Sequence, residues 1–300
     1  MILVTEFMDE AWVDWLRART DVTYEPDLPD RPDALARLAA DAAALVVRNR
    51  TQVRGDLLDA GFGCVGRLGV GLDNIDVEGC RTRGIEVFPA IGANTRSVAE
   101  YVVTTAAMLL RGAYGLRGAM EAGAWPRAAA GEGREVAGTV LGFVGYGEIA
   151  RATARLGAAM GMRVVAADPY AADFEGAEGM ALPELLARAD VVSLHVPLTP
   201  ETRGMIGAEA IAAMRPGAVV VNAARGGVVD EAALCNALRE GRLGGAALDC
   251  FADEPLRDGA RFRGVPNLVL TPHVAGVTRE ANARVSEMTA RRVAAHLGVG

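Results

Sequence analysis

The sequence predicts an α/β protein with two doubly wound parallel sheets, and three observations carry that expectation. Short Val/Ile/Leu runs alternate with Ala-, Leu- and Arg-rich amphipathic stretches along most of the chain, the alternation expected of right-handed crossover units. The apolar runs are continuous rather than alternating, as strands covered on both faces are. They fall into two series divided by one long helical pattern, and a chain of 300 residues is longer than a single core favours.

The first series reads as strands near 2–6, 44–48, 63–69 and 85–90, with helices near 9–19, 33–40 and 54–60. Residues 94–120 then read as one helix. Val98, Val102, Thr105, Ala106, Leu109 and Leu110 share a face at helical spacing, and Ser97 with Glu100 makes a capping box. Residues 121–138, rich in Gly, Ala and charge, read as loop. The second series places strands near 139–145, 162–168, 191–195, 218–224, 245–250 and 267–271. A helix near 278–297 follows with no further strand to pair, and is expected to return to the first domain. Residues 1–93 plus 277–300 then form one domain and 94–276 the other, with an interdomain cleft.

Composition limits the chemistry. A net charge of −7 and a pI near 5.2 argue against a nucleic-acid partner, which needs a basic stripe. No apolar window approaches the ~18 residues of a spanning helix, and the N-terminus lacks the cationic start of a signal peptide, so no membrane partner is expected. Cys64, Cys80, Cys235 and Cys250 show neither CxxC nor metal spacing, as expected of free thiols in a reducing cytoplasm. The chain contains no lysine, so all 31 basic residues are arginine. That excludes Schiff-base catalysis, a P-loop lysine and Tyr-x-x-x-Lys chemistry. With three histidines, His195, His273 and His296, no metal centre is expected.

The segment Gly145-Tyr146-Gly147-Glu148-Ile149-Ala150 follows the apolar run TVLGFV and precedes RATARLGAAM. Strand, glycine loop and helix in that order aim backbone amides and a helix N-terminus at a pyrophosphate, and Ala150 is a permitted third small residue. The next strand, MRVVAAD, ends in Asp168, 21 residues beyond Gly147. An acid there accepts both ribose hydroxyls and repels a 2′-phosphate, favouring NAD over NADP. A second formal match, Gly61 to Gly66, is rejected because it leaves a helical pattern and enters a strand, the reverse order.

Three later segments place polar groups where open α/β sheets bind ligands, at the carboxyl ends of strands. They are Arg225 in VVVNAARGGVVD, Asp249 and Glu254 in AALDCFADEP, and His273 in LVLTPHVAG. Histidine relays protons, a carboxylate stabilises its imidazolium, and arginine clamps a carboxylate with two prongs. Singly, Arg225 also suits a salt bridge and Glu254 a solvated surface. Jointly they suit removal of a hydride and a proton from an alcohol. His195, in LHVPLT, reads as a packing or cofactor-wall residue, His296 as solvated, and the cysteines as small buried hydrophobes.

These motifs, together with GRLGVGLDNIDVEGCRTRGIEV, NTRSVAEYVV and ADVVSLHVPLTPETRGMI, run nearly end to end. They resemble the D-isomer-specific 2-hydroxyacid dehydrogenases, the family of phosphoglycerate dehydrogenases, hydroxypyruvate reductases and D-lactate dehydrogenases. The resemblance implies a Rossmann NAD-binding domain at 94–276 and a smaller flavodoxin-like substrate domain. It implies that Arg225 binds the substrate carboxylate and keto oxygen, and that His273 is proton donor in reduction and acceptor in oxidation, held protonated by Glu254. Cofactor contacts would come from Gly145, Gly147, Glu148 and Ile149 at the glycine loop and Asp168 at the ribose. Ala223, Ala224 and Arg225 would lie by the nicotinamide, Asp249 at its carboxamide, with His273, Val274, Ala275 and Gly276 alongside. The backbone of Val70, Gly71 and Leu72 would hold the substrate carboxylate. Glu254 in place of glutamine speaks against formate dehydrogenases, and the resemblance implies a homodimer built through the nucleotide domain.

The C3 substituent is read from VVRNRTQV, which places Arg48 and Arg50 at a strand exit on one face. A second guanidinium suits a phosphate, sulfonate or hydroxyl, hence 3-phosphoglycerate, 3-sulfolactate or glycerate/hydroxypyruvate; alternatively one or both arginines pair with acids such as Asp73 or Asp76. The chain stops soon after the returning helix, so no serine-feedback regulatory domain is expected. Two other readings stand beside the enzyme: an NAD-responsive corepressor with little turnover, and the same scaffold acting on another anion such as phosphite.

Overall fold

The computed structural model describes residues 1–300, which form two compact units, Met1–Asn94 with Val277–Gly300, and Thr95–Gly276. The first unit runs β1 (Ile2–Val4), α1 (Glu10–Arg17), β2 (Val22–Tyr24), α2 (Pro32–Ala39), β3 (Ala44–Val47), β4 (Cys64–Arg67), α3 (Val77–Thr82) and β5 (Glu86–Pro89). Its sheet is wholly parallel in the order β2-β1-β3-β4-β5. Period-two alternation divides the core. Ile2, Val4, Ala44, Val46 and Cys64 pack with Val13 and Leu16 of α1 and with Val285 and Val293 of the C-terminal helix Arg279–His296. Leu3, Leu45, Val47 and Val65 pack on the other face with Leu35, Ala39, Phe62 and Cys80. The returning helix lies so close to β4 that a Cβ at Gly66 would stand 2.6 Å from the Thr289 methyl and 2.7 Å from a Val293 methyl.

The second unit runs α4 (Thr95–Arg111), α5 (Arg117–Glu121), α6 (Arg127–Ala130), β6 (Val140–Val144), α7 (Glu148–Ala159), β7 (Arg163–Ala167), β8 (Glu178–Gly179), α8 (Leu182–Arg188), β9 (Val191–Leu194), α9 (Ala208–Ala213), β10 (Ala218–Asn222), α10 (Glu231–Arg239), β11 (Leu243–Leu248) and β12 (Leu268–Leu270). The sheet is parallel throughout, in the order β12-β11-β10-β9-β6-β7-β8. Strand order reverses between β6 and β9, the position where doubly wound sheets open a ligand crevice. Val98, Val102, Ala106 and Leu110 of α4 and Ala150 and Ala154 of α7 cover one face. Leu185 of α8, Ile211 of α9 and Leu234 and Leu238 of α10 cover the other.

Several expectations are corrected. The helix expected over 94–120 stops at Arg111, because Gly112 takes a left-handed conformation (φ 63°) and turns the chain. It starts at Thr95, so Ser97 lies inside the first turn rather than at the cap, and the Glu100 carboxylate is taken by Arg96 (2.6 Å). The helix expected at 54–60 is a 3₁₀ segment, Gly55–Ala60, ended by Gly61 at φ 94°. Four short strands and helices escaped the sequence reading: β2, β8, α6 and α3. The last is a charged helix capped by Asp76, whose carboxylate accepts from the Gly79 N–H (2.8 Å). Within 121–138, the four-residue α6 is the one helix between the end of α5 and β6. No helix is long and apolar enough to cross a membrane.

Candidate active site

The glycine loop leaves β6 at the switch point of the larger sheet. Gly145 has φ 87°, and a Cβ there would sit 2.7 Å from the His195 carbonyl oxygen, so only glycine allows this turn beside β9. Gly147 heads α7 without a side-chain cap, and no chain atom lies within 4 Å of where its Cβ would be. The N-terminus of this 12-residue helix is thus left without a side-chain cap and with room beside Gly147, as a pyrophosphate requires. Ala150 is fully buried against the sheet. Asp168 follows β7 with its carboxylate fixed: Oδ2 accepts from the Tyr146 N–H (2.7 Å) and Oδ1 from the Tyr170 N–H (2.8 Å). Each oxygen keeps a lone pair for a ribose hydroxyl, so the residues present fit a dinucleotide. Glu148 is exposed and accepts from the Thr95 hydroxyl (3.0 Å), while Ile149 packs on the core. The His195 ring packs at a tilt against Phe143 (5.3 Å) and pairs with the Ser193 hydroxyl (2.8 Å). Burial pushes its pKa down to about 3, so its imidazole is neutral, which suits the wall or packing reading.

Three strand exits on the same sheet carry the polar set. After β10, the buried Asn222 folds the chain back. Its amide donates to the Arg225 carbonyl (2.9 Å), its oxygen accepts from the Ala224 N–H (3.1 Å), and Arg225 Nη1 donates to the Ala224 carbonyl (2.7 Å). This turn, with Ala223, passes directly over the β11 exit: a Cβ at Gly226 would lie 1.7 Å from the Phe251 carbonyl oxygen. After β11, Glu254 Oε1 accepts from the Phe251 N–H (2.9 Å), and Oε2 meets His273 Nδ1 at 2.7 Å. The same loop is anchored by the buried Glu231 of α10, which accepts from the Ala252 N–H (2.8 Å) and from Arg261 (2.7 Å).

After β12, His273 occupies a left-handed conformation (φ 55°), uncommon for a residue with a side chain. Asp249, 1% exposed, braces it. Its backbone oxygen accepts from the His273 N–H (2.8 Å); its carboxylate accepts from the Thr271 hydroxyl (2.6 Å) and from the Val274 and Ala275 N–H groups (both 2.8 Å). Gly276 closes the unit.

Glu254 and His273 are thus in contact, with Arg225 close enough for its charge to act on the carboxylate. Burial pushes the Glu254 carboxyl up, but the His273 hydrogen bond, the Phe251 N–H and the charges of His273 and Arg225 outweigh it and hold the group below the ordinary glutamate value. It is therefore an anion at neutral pH. With Nδ1 on the carboxylate, Nε2 is the ring atom left to exchange a proton. The His273 side chain is 43% exposed and that of Glu254 31%, as an acid–base pair open to substrate must be.

The first unit presents its own strand exits. Glu6, after β1, is 3% exposed and accepts the N–H groups of Arg48 (2.8 Å), Asn49 (3.2 Å), Arg50 (3.0 Å) and Thr51 (2.9 Å). One carboxylate thereby shapes the whole loop after β3, and Asn74 ties it down by donating to the carbonyls of Arg48 (3.2 Å) and Thr51 (2.6 Å). Arg48 and Arg50 then part company. Arg50 is ion-paired to Asp30 at the surface, which is the pairing alternative, with a different acid from those anticipated. Arg48 donates to the Asn282 side-chain oxygen (2.9 Å) and lies 5.8 Å from the Phe7 ring. Burial pushes its pKa down, opposed by the charge of Glu6. Val70, Gly71 and Leu72 lie in a half-buried irregular segment after β4. Glu6, Asn222, Glu231 and Thr271 went unassigned from sequence; for Asn222, an amide at an apolar strand end was the available signal. The four cysteines are buried and form no disulfide, and burial pushes the Cys64 thiol up to about 12.

Comparison with known proteins identifies the family. The family described as D-isomer specific 2-hydroxyacid dehydrogenase, NAD binding domain, matches residues 103–275. The (S)-sulfolactate dehydrogenase of Chromohalobacter salexigens is 50% identical over 99% of this chain and 98% of its own length. The D-3-phosphoglycerate dehydrogenase of Mycobacterium leprae is 39% identical over 98% of this chain, which spans 56% of that relative. Among solved structures, the D-lactate dehydrogenase of Aquifex aeolicus, in complex with NAD and lactic acid, superimposes with a TM-score of 0.88 at 27% identity, over 99% of this chain and 96% of that one. The chain belongs to the D-isomer-specific 2-hydroxyacid dehydrogenases and is an NAD-dependent oxidoreductase.

Proposed function

We propose that the protein interconverts a D-2-hydroxy acid bearing an anionic C3 group with its 2-keto acid, 3-sulfolactate and sulfopyruvate being the favoured pair. The His273–Glu254 contact of 2.7 Å carries the chemical half of this reading. In oxidation, His273 Nε2 takes the proton of the C2 hydroxyl, and Glu254 stabilises the resulting imidazolium. Arg225 clamps the substrate carboxylate with its fork of donors, and the backbone of Val70, Gly71 and Leu72 supplies further donors. Bound NAD, held by the Gly145–Gly147 loop, the α7 N-terminus and Asp168, supplies the hydride acceptor. In reduction the same imidazolium returns its proton to the carbonyl oxygen.

Arg48 supports the C3 anion. Its guanidinium is withdrawn from water against an amide and a ring, while the nearby Glu6 carboxylate is already engaged by four backbone N–H groups. A sulfonate or phosphate would supply the missing counter-charge. The chirality label of the 50% identical relative is consistent: sulfur at C3 outranks the carboxylate, so (S)-sulfolactate has the spatial arrangement of D-lactate. Two further inferences accompany this one. Tyr114, Met120 and Trp125, 70%, 46% and 75% exposed on the segment after α4, support a homodimer. Four buried cysteines that form no disulfide support a cytoplasmic location.

The test is a panel of 2-keto acids with NADH, followed by loss of nicotinamide absorbance. Sulfopyruvate should show the highest kcat/KM, with 3-phosphohydroxypyruvate and hydroxypyruvate behind it and pyruvate poorest. Arg48→Leu should raise KM for sulfopyruvate about 100-fold with little effect on pyruvate. A preference for pyruvate that survives in both proteins would overturn the C3-anion reading.

A further inference from the structure

A helix residue outside the polar set is wired to the turn that carries His273. Tyr101 lies on α4, seven residues into the second unit and far along the chain from the catalytic segments. Its hydroxyl is 2.6 Å from the Thr271 hydroxyl, and Thr271 in turn donates to Asp249 Oδ1 at 2.6 Å. Because the single Thr271 proton is spent on Asp249, Tyr101 is the donor in the first bond. The Asp249 carboxylate then accepts from the backbone of Val274 and Ala275, each at 2.8 Å. Between Thr271 and Val274 stands His273, in its left-handed conformation. A conformation of that kind persists only where the surroundings over-determine it, and here the surroundings are this chain of hydrogen bonds.

We propose that Tyr101 is a positioning residue for His273, acting through Thr271 and Asp249 to fix the turn from which the imidazole projects. The proposal rests on the reading of His273 as the proton-transfer group. Thr271 precedes His273 by two residues and Val274 and Ala275 follow it, so the carboxylate grips both flanks of the turn. Without the Tyr101 donor, the Thr271 hydroxyl keeps only Asp249 of its two partners, and the grip on the leading flank slackens. An imidazole displaced by a fraction of an ångström still meets Glu254 but no longer meets the C2 oxygen squarely. Burial pushes the Tyr101 phenol above its ordinary value, so it remains a donor throughout the working pH range. Tyr101 touches neither substrate nor cofactor in this account, and its effect is confined to the proton-transfer step.

The experiment compares wild type, Tyr101→Phe, Thr271→Val, the double variant and Thr271→Ser. For each, kcat is measured with the best keto acid, and NADH affinity is measured by nicotinamide fluorescence. Tyr101→Phe and Thr271→Val should each lower kcat about tenfold with NADH affinity within about twofold. The double variant should be no worse than the worse single one, because both break the same chain. Thr271→Ser, which keeps the hydroxyl, should stay within about twofold of wild type. An unchanged kcat in Tyr101→Phe, additive losses in the double variant, or a loss of NADH affinity in step with kcat would overturn the proposal. His273→Ala in the same series separates this from the underlying reading: if it retains turnover, His273 is not the proton donor, whatever Tyr101 does.

Discussion

At the scale of single residues, the account rests on one carboxylate held anionic beside an imidazole. Glu254 lies below its ordinary pKa despite half-burial because His273, the Phe251 N–H and Arg225 all favour its charged form. Replacing it with the isosteric, uncharged glutamine removes the stabilisation of the imidazolium and leaves the hydrogen-bond geometry. The imidazolium then lacks its counter-charge, so kcat/KM for keto-acid reduction falls. A loss of about tenfold is expected for Glu254→Gln, read from the kcat/KM values of both proteins; an unchanged value would remove Glu254 from this role. Asp168 makes a second residue-scale prediction. Its two oxygens are anchored by backbone N–H groups, so the charge stands where a 2′-phosphate would come. Asp168→Ala should narrow the NADH-over-NADPH preference by at least about tenfold, measured as the ratio of kcat/KM values for the two cofactors. An unchanged ratio would place the discriminating charge elsewhere.

At the scale of elements, glycines decide how closely segments approach. A methyl at Gly226 would lie inside the Phe251 carbonyl, and that carbonyl belongs to the loop presenting Glu254. Gly226→Ala should therefore displace the two loops against each other. kcat is expected to fall about 100-fold or more while the fold, monitored by circular dichroism, is kept; wild-type turnover would show that the loops are not held by this contact. The same scale explains what the sequence could and could not disclose. The strand–glycine–helix order around Gly145 and the polar exits at Arg225, Glu254 and His273 were legible because buried parallel strands make unbroken apolar runs that end abruptly. The counterfeit glycine motif at Gly61–Gly66 was separable by order alone, since it follows a 3₁₀ segment and enters β4. The edge strands β2 and β8 were not legible: β2 has three half-buried residues and β8 has two exposed ones, too few to make an apolar run. The break after Arg111 was missed because Gly112 interrupts an otherwise helical composition, and a single glycine is tolerated inside many helices. The roles of Glu6, Glu231 and Thr271 depend on which backbone amides and side chains the fold brings to them, and no spacing rule encodes that.

At the scale of the whole molecule, each of the two parallel sheets has its own two-faced core, and the cofactor signature resides entirely in Thr95–Gly276. Saturating NADH should therefore stabilise that unit selectively. At a hundredfold excess over Kd the gain is about 2.7 kcal/mol, visible in calorimetry as an upward shift of one transition; equal shifts for both units would show that they unfold as one. The measurement that bears most directly on the whole account is single-turnover reduction of the preferred keto acid by NADH in wild type and His273→Ala, with NADH affinity determined in parallel. The account predicts a rate at least about 100-fold slower in the variant, with the dissociation constant for NADH nearly unchanged. Comparable rates in the two proteins would mean that the proton comes from some other group.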